Sequence, residues 1–183
     1  MLGGVSLKRY SHSEWRKRCG VVMQEGFIFS DSIAGNIGLI DEIPDREKID
    51  RAVETANIRD YIESLPLGYN TRIGNDGQGL STGQKQRLLI ARAVYKDPDF
   101  IFFDEATNAL DATNERTIME NLGAFFEGKT VVIVAHRLST VKNADQIIVL
   151  EKGEVAETGT HRELVSRKGA YFNLVKDQLE LGG

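Results

Sequence analysis

The sequence predicts an α/β fold in which a largely parallel sheet is flanked by helices. Two observations carry this expectation. Phe100-Ile101-Phe102-Phe103 and Thr130-Val131-Val132-Ile133-Val134 are continuous apolar runs without alternation, the pattern of strands covered on both faces of a parallel sheet. The stretch between them, roughly Thr113 to Phe126, is helical in character, so strand alternates with helix. At 183 residues, with 41% apolar and 27% charged residues, the chain is long enough to bury a core and too ordinary in composition for disorder.

Each element follows from local signals. Gly3-Gly4 between Leu2 and Val5 reads as a hairpin turn whose first arm has only two residues. Val21-Val22-Met23 is a short apolar strand. Ile49, Ala52, Val53 and Ala56 mark one helical face at i, i+3, i+4 and i+7. Pro66, Gly68, Gly74, Gly77 and Gly79 break periodicity between Leu65 and Leu80, which predicts a loop. Ser81 to Tyr95 reads as a helix with Ser81 as N-cap and Gln84 three residues on, and Asp97-Pro98 ends it. Ile147-Ile148-Val149-Leu150 is a third apolar run like the first two. Thr160 and Glu163 frame another capping box, and Tyr171, Leu174, Val175 and Gln178 follow helical spacing. No internal repeat is visible.

Composition excludes several classes of function. A net charge of -4 gives no basic footprint for nucleic acid. Cys19 is the one cysteine, so no intrachain disulfide forms, which suits a reducing compartment. The longest apolar runs fall far short of the roughly 20 residues that span a bilayer, so a membrane role must come through a partner. No signal-peptide pattern opens the sequence.

Three places have the chemistry of a site. Asp104-Glu105 follows a predicted strand, and ligands of open parallel sheets bind beyond the carboxyl ends of the strands. There one carboxylate can hold Mg²⁺ through its waters while its neighbour takes a proton from an attacking water, although two adjacent acids at a strand end also read simply as solvated charges. Ser81 to Gln84 opens a helix whose free N–H groups favour a phosphate, and Gly83 leaves room for close approach; the plain reading is a capped helix start. His136 follows the Val131 to Ala135 run, where an imidazole can bond a phosphate oxygen. His12 and His161 have no such placement and read as surface residues.

In order, Val22-Met23-Gln24, Leu80-Ser81-Thr82-Gly83-Gln84, Phe100 to Glu105, Ala109-Leu110-Asp111 and Ala135-His136-Arg137 resemble the ATPase domain of ABC transporters along nearly the whole chain. The resemblance implies a P-loop NTPase-like core carrying an inserted helical subdomain, here about 30–95, with the core continuing over 96–183. It implies that Gln24 is the glutamine that reaches metal and nucleotide, and that Ser81, Gly83 and Gln84 form the signature that meets ATP held by the opposite subunit. Asp104 is similar to the Mg²⁺-associated aspartate, Glu105 to the general base, Asp111 to the aspartate at the dimer interface, and His136 to the switch histidine. ATP and Mg²⁺ follow as ligands. The implied partners are the transmembrane domain of an exporter and a second ATPase domain in a head-to-tail dimer, at the cytoplasmic face of the membrane, with no nucleic acid. Asn75-Asp76-Gly77-Gln78-Gly79 is similar to the loop by which exporters touch their membrane domains. The run Asp76 to Glu115, with Thr82 and Asn108, looks most like peptide or bacteriocin exporters, with lipid or drug export left open.

A P-loop, Gly-x-x-x-x-Gly-Lys-Ser/Thr between strand and helix, lies before the Q-loop glutamine in the family. None of the 23 residues before Gln24 forms that pattern, so the chain reads as a C-terminal part of the domain, inactive when isolated. Gly123 to Thr130 matches the pattern letter by letter, but it follows a predicted helix and enters a predicted strand, the reverse of the required order. It is rejected as a phosphate loop. Two other readings stay open: an incomplete fragment that only donates its signature to a partner, and a soluble ABC protein of DNA repair or translation. The acidic balance and the exporter-like loop argue against the latter.

Overall fold

A computed structural model describes residues 3–74, 77, 79–107, 110–135 and 141–181, with side chains of Ala112 and of 177–181 left aside. Of the positions singled out above, Asn75, Asp76, Gln78, Asn108, Ala109, His136 and Arg137 lie outside the described residues. Gly3 and Gly4 both have positive φ, at 54° and 79°, as a tight turn on Gly-Gly demands. Helix α1 (His12–Arg18) leads into strand β1 (Cys19–Val22). A short strand β2 (Asp31–Ser32) and helix α2 (Ile33–Ile37) follow. Helix α3 (Arg46–Thr55) starts where the Asp45 carboxylate accepts from the N–H groups of Glu47 and Lys48. Its predicted face is the buried one: Ile49, Ala52, Val53 and Ala56 all lie in the core.

Helix α4 (Arg59–Glu63) and strand β3 (Arg72–Ile73) come next, then helix α5 (Thr82–Lys96), capped by Ser81 and ended by Asp97 in the left-handed region at φ 49°. Strand β4 (Phe100–Asp104), helix α6 (Ala112–Phe126) and strand β5 (Thr130–Val134) complete the first of two units, which divide between Val134 and Ala135. In this unit β4 is central, parallel to β1 on one side and to β5 on the other, with Val22 opposite Phe103 and Phe103 opposite Ile133. Helices α2, α3 and α5 pack together, and Val22, Ile101 and Phe103 of the sheet join Leu88, Ile90, Ala91 and Val94 of α5 in one core.

The parallel sheet agrees with its sequence signature, but coverage on both faces does not. Val21, Val132 and Val134 are 56%, 46% and 53% exposed, all on the face opposite Ile101 and Phe103, and no described element of this unit lies over them. Continuous apolar runs mark strands that tolerate burial on both sides; they do not show that both sides are buried. The predicted loop from Leu65 to Leu80 also contains β3, which pairs antiparallel with β2 across Asp31–Ile73 and Ser32–Arg72.

The second unit carries β6 (Ile147–Glu151) and β7 (Glu154–Gly159), an antiparallel hairpin instead of a further parallel strand. Its turn residues Lys152 and Gly153 both take positive φ, 52° and 83°, which matches the twist of paired strands. Helix α7 (His161–Arg167) starts with the predicted Thr160–Glu163 capping box, and helix α8 (Ala170–Leu181) follows. Ile147, Val149, Leu164 and Tyr171 form a small core of their own. His161 is half-buried here, its Nδ1 2.9 Å from the Tyr171 hydroxyl, so it is not the free surface residue the sequence suggested.

The two sheet faces of the first unit predict opposite mutational costs. Ile101→Ala removes a fully buried side chain from the central strand and should cost about 2–5 kcal/mol, whereas Val132→Thr on the open face should stay within about 0.5 kcal/mol. Urea denaturation reads both, as a fall in midpoint at unchanged slope for the first and little change for the second.

Candidate functional site

Strand direction assembles the candidate site. β1 and β4 run parallel with Val22 opposite Phe103, so their carboxyl ends emerge side by side, Gln24 beyond one and Asp104-Glu105 at the other. Asp104 ends β4 and shares the open face with Phe102, because Ile101 and Phe103 take the core face. Glu105 then turns into the left-handed region, at φ 50°, uncommon for a residue with a side chain. Its N–H donates to the carbonyl of Val134 at 3.0 Å, which extends the β4–β5 ladder one residue and fixes the turn. Gln24 and Asp104 are exposed and Glu105 is half-buried.

Beyond Glu105 the chain enters a short loop braced from inside: the buried Thr107 hydroxyl donates to Glu115 Oε1 at 3.1 Å. Asp111 then caps α6. Its Oδ1 accepts from the N–H groups of Thr113 and Asn114 at 3.1 and 3.0 Å, and its Oδ2 from Asn114 Nδ2 at 2.6 Å. The Asn114 side chain, then the backbone N–H groups, hold the Asp111 carboxyl below the usual carboxylate range.

Ser81, Gly83 and Gln84 stand at the start of α5, where the capping box closes both ways. The Ser81 N–H donates to Gln84 Oε1 at 2.9 Å, and the Gln84 N–H donates to Ser81 Oγ at 3.2 Å. The structural reading of the tetrapeptide is thus realised. The N–H groups of Thr82 and Gly83, in the first turn, still lack intrahelical partners and remain suited to an anion.

Residues the sequence reading passed over tie this helix to the Gln24 segment. Gln86, buried, donates Nε2 to the Met23 carbonyl at 3.4 Å. A side chain at Gly26 would meet Leu89 Cδ1 at 2.3 Å and push that leucine aside, so glycine lets the loop lie close to α5 without repacking it. Arg92 donates to the Phe27 carbonyl at 2.9 Å, to the Asn36 carbonyl at 2.8 Å and to Asn36 Oδ1 at 3.1 Å, and burial lowers its pKa. A glutamine and an arginine on the apolar face of a predicted helix were the available signal, since buried polar groups need partners.

The match at Gly123 to Thr130 has the geometry of a helix end. Gly123 to Phe126 close α6, Gly128 sits at φ 74°, and Thr130 begins β5. Lys129 is 18% exposed, with Nζ 2.9 Å from Asp97 Oδ1 and over the Phe125 ring.

A family model described as "ABC transporter" matches residues 1–108. Among curated relatives, "ABC transporter B family member 14" of Arabidopsis thaliana is 45% identical over 178 residues, covering 97% of this chain and 14% of its own length. The "ATP-dependent lipid A-core flippase" of Ralstonia nicotianae is 44% identical over 182 residues, with 97% and 31% covered. The "ABC multidrug transporter MDR5" of Trichophyton rubrum is 45% identical over 180 residues, with 97% and 14% covered. A solved structure of a bacterial Atm1-family ABC exporter with ATP bound superposes with a TM-score of 0.86 at 39% identity, over 91% of this chain and 30% of that one. The chain thus spans less than a third of the length of these relatives.

Lys129→Ala should leave MgATP affinity unchanged and cost about 1 kcal/mol or less, because its partner Asp97 is half open to solvent. Calorimetric titration decides it: binding that disappears with Lys129 would make 123–130 a true phosphate loop.

Proposed function

The chain belongs to the ABC transporter family, and from that premise we propose that it is the ATP-binding and hydrolysing domain of a membrane exporter. The observation that carries this reading is the common carboxyl edge of β1 and β4, which gathers an amide oxygen and two carboxylates where an open parallel sheet binds its ligand. In the proposed arrangement 30–95 is the helical subdomain that carries Ser81 to Gln84, and 96–183 continues the ATPase core. Glu105 accepts a proton from water as the water oxygen bonds to the γ-phosphorus and the bond to the bridging oxygen breaks, releasing ADP. Asp104 and Gln24 offer hard oxygen donors, the set Mg²⁺ takes alongside nucleotide phosphates, and they would hold that ion. When bound it would neutralise charge on the phosphate oxygens.

Ser81, Gly83 and Gln84 act on the nucleotide of an opposing subunit, with Asp111 at that interface and His136 near the γ-phosphate. Among the described residues no helix is long and apolar enough to cross a membrane. The proposed membrane attachment runs through a transmembrane domain, with this chain at its cytoplasmic face, a reading supported by the likeness to exporters. The peptide reading of the cargo rests on the run Asp76 to Glu115, including Thr82 and Asn108. The relatives' names speak of lipid A-core and of multidrug transport, and we favour an amphipathic lipid-like cargo on that ground.

In the intact protein, Glu105→Gln should slow ATP hydrolysis by on the order of 10²- to 10⁴-fold while MgATP still binds. Phosphate release and equilibrium binding, measured on the same preparation, separate the two; turnover near wild type would remove Glu105 as the base.

Action in trans is tested by mixing. Ser81→Arg and Glu105→Gln homodimers should each be inactive, the first because a bulky cation at the helix start blocks closure and opposes the dipole. In a head-to-tail heterodimer of the two, one composite site holds both lesions and the other neither. Turnover should therefore recover in the purified heterodimer, and full activity of the Ser81→Arg homodimer would remove the assignment of Ser81.

A further inference from the structure

The turn between α3 and α4 has no role in the reading so far, yet it is tied through Arg87 and Asn114 to both segments assigned to the interface with an opposing subunit. Asn57 occupies the left-handed region there, at φ 50°. Its carbonyl accepts from Arg87 Nη1 at 2.8 Å, and Arg87 Nε donates back to the Gly83 carbonyl at 3.4 Å, in the first turn of α5. The Asn57 side chain donates through Nδ2 to Asn114 Oδ1 at 3.0 Å, and Asn114 Nδ2 donates to Asp111 Oδ2 at 2.6 Å.

Chemistry fixes every orientation in this series. A carboxylate only accepts, so Asn114 must turn its NH₂ toward Asp111 and its oxygen toward Asn57, and Asn57 must then present its own NH₂. The donors run in one direction, from the Arg87 cation to the Asp111 anion. Swapping either amide would set acceptor against acceptor. Asn57 joins the two branches because its carbonyl serves the start of α5 while its side chain serves the cap of α6.

We propose that Asn57 is a positioning residue that holds the Ser81–Gly83 end of α5 and the Asp111 turn in fixed register, so that both meet an opposing subunit together. This rests on the ATPase reading above. Neither end touches the nucleotide that the subunit binds for itself in that reading, so the link acts on turnover and not on ATP affinity.

Asn57→Gly, made in the intact protein, keeps a residue at home in the left-handed region and the carbonyl that receives Arg87, and removes only the side-chain donor. The expected result is a kcat for ATP hydrolysis about five- to tenfold lower, the usual worth of one hydrogen bond, with KM for MgATP within about twofold of wild type. Asn114→Ala removes the same bond and the one to Asp111 as well, so its fall should be at least as large, and the double variant Asn57→Gly/Asn114→Ala should be no slower than Asn114→Ala alone. Wild-type kcat in Asn57→Gly, or losses that multiply in the double variant, would overturn the proposal. Glu105→Gln, assayed beside them, separates the two levels of inference. If it stays active, the ATPase site is wrongly placed and the link falls with it; if it is blocked while Asn57→Gly is not, only the link falls. Should Asn57→Gly not fold, Asn57→Asp takes its place, because a carboxylate cannot donate to Asn114 Oδ1 and aspartate also enters the left-handed region; a lower kcat at unchanged KM supports the link and an unchanged kcat refutes it.

Discussion

One face of helix α5 holds the segment that follows β1, and the candidate site depends on that contact. Gln86, Leu89 and Arg92 recur every three residues along the helix and meet Met23, Gly26 and Phe27 in the same order. Arg92 is the informative member. Among the described residues its guanidinium has carbonyl partners and the Phe29 ring instead of a carboxylate. A half-buried cation satisfied by backbone oxygens constrains chain path more than it adds net stability, because each oxygen must come to the planar fork. Asn36 completes the arrangement: its Oδ1 accepts from the Phe29 N–H and its Nδ2 donates to the Phe29 and Ser32 carbonyls. The exposed segment around Gln24 thus gains a defined path from residues that take no part in the proposed chemistry.

How much of this was legible in the sequence varies with the kind of signal. Ser81 and Gln84 announced the start of α5 because a capping box is local, needing only two side chains three residues apart. β4 and β5 were legible as strands because their apolar runs admit few alternatives. β7 was missed. Glu154-Val155-Ala156-Glu157-Thr158-Gly159 has no continuous apolar run, and what makes it a strand is its pairing with β6 across a turn in which a lysine, not a glycine, takes the first left-handed position. α1 was missed for a similar reason: it buries none of its residues and so lacks an apolar stripe, though the Trp15 ring packs against Phe100 of the sheet.

The site itself was legible by kind of residue more than by geometry. Asp104 and Glu105 could be placed at a strand end from the run before them. Their different fates could not, because alternation sends Asp104 to the open face while the next residue leaves the strand altogether. The polar ties of Gln86, Arg92, Asn57 and Asn114 join positions 30 to 63 residues apart in several cases, and no local pattern records such separations. Gly123 to Thr130 shows the opposite case, where the spacing of the pattern is met and, as the predicted helix-then-strand order already indicated, the topology is not. An amide nest needs a strand feeding a helix, and here a helix feeds a strand.

The left-handed turn at Glu105 shows how the sheet and the proposed chemistry constrain each other. A side-chain residue at φ 50° carries strain of order 1–3 kcal/mol, which persists only where surrounding contacts fix the backbone. The bond from the Glu105 N–H to the Val134 carbonyl is one such contact, and the buried Thr107–Glu115 pair just beyond is another. An extended Glu105 would continue the alternation of β4 and turn its side chain toward the face of Ile101 and Phe103. The strained turn breaks that alternation beside Asp104, at the carboxyl edge where an open parallel sheet binds its ligand. β5 therefore does more than widen the sheet: its last carbonyl fixes the backbone from which the proposed base projects.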